Sequence, residues 1–204
     1  MIQIGRAFAS IKAKLILSFI AISFIILAAG VIGILPFNTL QANLYRIGND
    51  NVQAILHINR IMDSQSRIVI AERTLLIRQL SNQVTRKNYY DSIAEAEKEA
   101  EEATKAFETL NHSSEEMELW EDFLKSWADL KEVQSLLFTT MAGQEELLNQ
   151  GIRGGRQFDR IANQAFEMAF TDVRDRRNHT TEILSFLVDK IQYNVANDIA
   201  ASMH

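Results

Sequence analysis

The sequence contains no cysteine, a single proline and only eight glycines. Without cysteine there is no disulfide, no thiolate metal site and no cysteine nucleophile, and redox chemistry loses its usual side chain. So few turn formers disfavour a sheet protein, whose chain must reverse about every 8 to 12 residues. Long helices are the natural alternative. Charge is missing too, since no Asp, Glu, Lys or Arg falls between Leu15 and Tyr45. There is no Gly-rich phosphate loop, no HExxH and no GxSxG, so the chain is read as a non-enzyme that needs no cofactor.

The 204 residues suffice for one domain of ordinary size and a membrane segment. Arg6, Lys12 and Lys14 precede the uncharged stretch without an acid, whereas the chain from Arg46 onward carries 18 basic and 26 acidic residues. An acidic body argues against a nucleic-acid partner. Leu15 to Leu35 is apolar apart from Ser18 and Ser23, a run that matches the about 20 residues needed to span a bilayer. The bases before it place residues 1–14 in the cytoplasm, a transmembrane helix at 15–36 and residues 37–204 outside. A cleaved signal peptide is the competing reading, because Ala28-Ala29-Gly30 offers small residues, but the run continues through Phe37.

Beyond Pro36, a helix is expected from Asn38 to about Leu80. Its seam is Ile55, Ile58, Met62, Val69, Leu76 and Leu80 at three-four spacing, with Gln65 and Glu72 in seam positions. Ser81 to Lys87 reads as a polar connection. Tyr89, Ile93, Ala96, Ala100, Ala103, Phe107 and Leu110 mark a second helix whose alanines permit close approach. Asn111-His112-Ser113-Ser114 followed by acids signals a cap and a third helix, striped by Trp120, Phe123, Trp127, Leu130, Leu137, Met141 and Leu148 with Gln134 interrupting. The GIRGG stretch from Gly151 to Gly155 reads as an interhelical turn, and a fourth helix is expected from about Arg156 to the end. Short connections between helices of similar length give an all-α, up-down-up-down antiparallel four-helix bundle preceded by one transmembrane helix.

Met62-Asp63-Ser64-Gln65, Ala71-Glu72-Arg73-Thr74-Leu75-Leu76, Leu119-Trp120 and the opening Ile11-Lys12-Ala13-Lys14-Leu15 resemble the N-terminal part of methyl-accepting chemotaxis receptors. The resemblance covers nearly the whole chain. It implies an extracytoplasmic sensor in the bacterial inner membrane, a parallel homodimer, and a small-molecule ligand whose carboxylate meets arginines of the first helix. Receptors of this kind continue into a second span, a HAMP linker and a cytoplasmic coiled coil, so the chain is expected to be a fragment of one. The same sensor on a histidine kinase or cyclic-dinucleotide enzyme, and an anchored structural bundle, are the alternatives.

Aligning Leu80 with Arg156 and Leu148 with Phe158 puts Gln65, Gln134, Thr171 and Asp172 at one height, and Glu72 and Arg73 near Asn163, Gln164 and Glu167. Buried polar groups need partners, and a ligand between helices can supply them. With Arg67 and Arg73, the first-helix arginines that the resemblance implies for a small organic anion or amino acid, the expected ligand-binding set is Arg67, Glu72, Arg73, Thr74, Asn163, Gln164 and Thr171. A purely structural polar layer is the plain alternative. His57, Phe107, Trp127 and His179 also align, as a metal, haem or pH-sensing layer or as histidines that simply hydrogen-bond. Trp120 and Trp127 read as core. The face of Arg60, Arg67 and Arg78 is the expected dimer surface.

Overall fold

The computed structural model describes residues 14–30, 46–77, 80 and 82–202. By contacts the chain divides into two units, one of residues 1–46 with 197–204 and the other of residues 47–196. In the first unit, residues 14–30 form helix α1, whose apolar side chains, Leu15, Phe19 and Phe24 among them, are exposed. No helix among the described residues is long and apolar enough to cross a membrane. Positions 31–36 of the expected span lie outside the described residues.

The second unit holds the bundle, whose elements begin and end at Arg46 and at residues 197–202, which count with the first unit. A π-helical turn, Arg46–Asn51, leads into α2 (Val52–Leu75), followed by α3 (Gln83–Glu108), α4 (Ser114–Asn149), α5 (Arg156–Phe170) and α6 (Asp172–Ser202). There is no strand among the described residues. Contacts between side chains join neighbouring helices in antiparallel order. Arg67 of α2 reaches Glu95 and Glu99 of α3, Gln83 of α3 reaches Asn149 of α4, Ser126 of α4 meets Thr180 of α6, and Arg177 of α6 returns to Glu72 of α2. At one end Asn111 bonds Asp50 and Asn194 bonds Glu116, so the chain enters and leaves the bundle beside the α3–α4 turn.

Local chemistry explains the helix ends. Ser113 and Glu116 form a reciprocal capping box at α4, the Glu116 N–H donating to Ser113 Oγ (3.2 Å) and the Ser113 N–H to the Glu116 carboxylate (2.8 Å). Gly151 closes α4 at φ 80°, with its own N–H on Leu148 O and the Ile152 N–H on Leu147 O. That is a Schellman stop, which favours glycine because a side chain is strained at this φ. Ala96, Ala100 and Ala103 bring α3 in close, as the sequence suggests. Phe107 stacks on Trp120, which tilts against Phe123, and His112 covers the other face of Phe107.

Four expectations need correction. The first long helix ends at Leu75, not Leu80, and residues 38–45 lie outside the described residues. Its buried seam is Ala54, Ile58, Ile61, Gln65, Ile68, Glu72 and Leu75, while the expected Ile55, Met62 and Leu76 flank it. The supposed connection already belongs to α3 from Gln83, and its Arg86 is 1% exposed. Arg86 Nη1 donates to Leu75 O (2.8 Å) and Leu80 O (3.1 Å), and Nε to Glu145 (2.6 Å), so the end of α2 is capped from α3. Finally, the fourth helix breaks at Thr171 (φ −119°, ψ −87°). The Thr171 hydroxyl and N–H both donate to Glu167 O, the back-bonding that bends helices at threonine.

Candidate functional site

The seams of α2, α4 and α6 each carry polar residues, and the fold brings them together inside the bundle. Glu72, 2% exposed, receives Gln134 Nε2 at 3.0 Å and Arg177 Nη2 at 2.6 Å. Further toward the α3–α4 turn, Thr181 donates to Gln65 Oε1 (3.2 Å) and Ser126 shares a hydrogen bond with Thr180 (2.8 Å). Arg177 Nε and Gln65 Nε2 are buried without a hydrogen-bond partner among the described residues. The result is a ladder of polar contacts between α6 and both α2 and α4, with a charged pair at its upper rung.

Between α2 and α4 the expected register is therefore off by one heptad, about two turns, and between α2 and α6 by about ten residues, Gln65 meeting Thr181 where Thr171 was expected. Gln134 faces Glu72, not Gln65, because the alignment hung on Leu80 as the end of α2. Of the expected ligand set, Glu72 is in the core and paired. Arg73 is exposed and stands over the Phe170 ring at 5.4 Å, next in sequence to Thr171. Thr74 donates within its own helix to Ile70 O, and Arg67 is held by Glu95 and Glu99. Asn163 and Gln164 are exposed on α5, the helix whose Phe170 ring lies under Arg73. Arg177 was missed. Its signal was there, because Val173, Arg177, Thr180, Leu184, Leu187 and Ile191 form an unbroken heptad seam.

A groove of about 530 Å³ opens from this layer between α3 and α4, lined by Glu97, Lys131, Gln134, Ser135, Phe138 and Thr139. Gln134 forms its floor and bonds Glu72 behind it. Burial holds the Glu97 carboxyl above its ordinary value, with Lys131 opposing and the Glu72 charge adding to the shift. Lys131 itself rests over the Trp127 ring at 5.7 Å. Another groove, between α2 and α3, is lined by Leu56, Arg60, Asp63, Glu99 and Glu102.

The expected histidine layer does not form. His179 is exposed, Phe107 packs on His112 and Trp120, and Trp127 packs on Phe123. No cluster of metal-binding side chains occurs among the described residues.

The geometry is that of a helical bundle with a polar interior layer and side grooves, and the bundle architecture is that of a known protein family. The model of that family, a four helix bundle sensory module for signal transduction, matches residues 8–202. The chain belongs to this family. No curated protein and no solved structure gives a match. The sensory module thus has its class from the family and its particulars from its own side chains.

One of those particulars is His57, half-buried on α2 with Nδ1 unpartnered among the described residues. Burial, and then the Arg60 charge, lower its pKa below 6.5. A base held neutral in the fold contributes stability above the unfolded value of 6.5, and that contribution is lost as pH falls from there through the lower folded value. His57→Asn is expected to flatten the loss of unfolding free energy just below pH 6.5 relative to the parent, as measured by urea unfolding across that window.

Proposed function

We propose that this sensory module is the extracytoplasmic part of a bacterial chemoreceptor, held in the inner membrane by its N-terminal segment, and that it detects a small molecule and relays the event across the bilayer. The observation that carries this reading is the buried Glu72–Arg177 pair. It ties α2 to α6, the two helices by which the chain enters and leaves the bundle, and Gln134 adds α4. A buried ion pair is weak evidence for stability and is best understood where a specific arrangement must be kept or switched. The exposed apolar side chains of α1 fit a lipid partner, and the bases before them fit a cytoplasmic N-terminus. A small organic anion or amino acid remains the ligand class that the resemblance suggests.

The relay is tested on the full chain in lipid nanodiscs. The protein has no cysteine, so Ser66→Cys and Glu182→Cys, both at exposed positions, can be spin-labelled without background. A screen of amino acids and carboxylates by thermal shift identifies a binder. Binding is then expected to move the α2–α6 distance by about 1–2 Å, the size of helix shifts in known switches. Binding without any displacement overturns the relay, and the absence of any binder overturns direct sensing.

We place the dimer surface elsewhere than on the expected arginine face, because Arg67 is engaged by Glu95 and Glu99 of α3; Arg78 lies outside the described residues. A second, outward heptad stripe runs along α2 through Val52, Leu56, Asn59, Asp63, Ser66, Ile70 and Arg73, with Ile77 next in step beyond the helix end. Ile70 is 63% exposed. A twofold axis along this stripe uses each side chain twice, which amplifies any change. Ile70→Glu is expected to weaken self-association by about tenfold or more, equivalent to about 1.4 kcal/mol or more, in sedimentation equilibrium.

A further inference from the structure

The groove between α3 and α4 has an arrangement that the helix packing does not require. Its acid, Glu97, is half-buried on α3, with a second carboxylate, that of Glu72, acting on it from the core. Lys131, whose charge acts on it, lies over the Trp127 ring at 5.7 Å and makes no ion pair with Glu97 among the described residues. Glu72 is already satisfied by Arg177 and Gln134. Glu97 is thus the acceptor presented to whatever enters. Phe138 offers an apolar wall, Ser135 and Thr139 offer hydroxyls, and about 530 Å³ lies within the range of small-molecule sites. The floor is Gln134, which links the groove through one hydrogen bond to the charged pair between α2 and α6.

We propose that this groove binds a small molecule carrying an ammonium group, which Glu97 accepts, with its apolar part against Phe138. The ammonium is common to simple amines and to amino acids. Lys131 separates the two, because it leaves the Trp127 ring only for a ligand that also brings a carboxylate. Occupancy places a positive charge near Glu97 and Glu72, which weakens the hold of Glu72 on Arg177. That consequence rests on the sensor reading given above, whereas the binding itself does not.

Three probes with one ring decide the matter by calorimetry on the full chain in nanodiscs: phenethylamine, phenylalanine and phenylacetate. Binding is expected for a probe with an ammonium and not for phenylacetate. Glu97→Gln, a substitution of the same size at a half-buried position, is expected to weaken that binding by about 10- to 100-fold, the value of one charge-assisted hydrogen bond. An unchanged melting temperature shows that the variant is folded. Lys131→Ala is expected to weaken phenylalanine alone if the carboxylate is read, and to leave both probes unchanged if the ligand is a simple amine. Failure of both ammonium probes, binding of phenylacetate alone, or binding unaffected by Glu97→Gln overturns the proposal. A ligand that moves α2 against α6 yet ignores Glu97→Gln overturns the groove and leaves the sensor standing. Binding in the groove without displacement does the reverse.

Discussion

Replacing Arg86 by alanine is expected to lower the melting temperature by roughly 6–20 °C, corresponding to about 3–5 kcal/mol for a broken buried charge pair. Three groups lose their partner at once. The Leu75 and Leu80 carbonyls lose their cap at the end of α2, and the Glu145 carboxylate loses the cation that ties α3 to α4. Tyr90 also leans on that carboxylate, its phenol held above the ordinary range by burial and then by the Glu145 charge, with Arg86 opposing. Arg86→Lys is expected to recover less than half of the loss, because an ammonium does not reproduce the planar fork that meets a carboxylate and two carbonyls. Thermal melts followed by far-ultraviolet circular dichroism check this. A drop of less than about 1 kcal/mol, the net value of a single hydrogen bond, would show the connection to be held by other means.

Arg86 also shows where the sequence stops being legible. It lies in Ser81 to Lys87, a stretch of polar residues that looks like a solvated linker, and nothing in its composition reveals that one of its cations turns inward. Heptad spacing, by contrast, identified the helices and the inward position of Gln65, Glu72 and Gln134, because apolar periodicity is imposed by burial and survives without knowledge of the neighbours. The cap at Ser113 and the stop at Gly151 were readable for the same local reason. Register was not. It depends on where α2 ends, and a helix whose terminal carbonyls are capped from a later helix carries no stop signal of its own. The break at Thr171 was hidden likewise, since threonine marks a bend only when its hydroxyl turns back on the preceding turn. The candidate site suffered most, because pairing residues across helices needs the register that the pattern leaves open.

The layer that register hid yields the second large effect. Arg177→Met is expected to cost about 3–5 kcal/mol in urea unfolding, because it strands the Glu72 carboxylate in the core with Gln134 as its remaining donor. Glu72→Leu is expected to cost a similar amount by leaving Arg177 unpaired. The double variant removes both charges and regains most of that loss, but it leaves the Gln134 amide buried without an acceptor, a residual penalty of about 1–3 kcal/mol. Adding Gln134→Leu removes the last polar group, and the triple variant is expected to match or exceed the parent by up to about 4 kcal/mol, as apolar replacements of buried pairs do. A triple variant much less stable than the parent would show that the layer exists to hold the bundle together. A triple variant that is stable, binds ligand and no longer moves α2 against α6 would instead assign the layer to the relay, since only the coupling between the two helices would then have been lost.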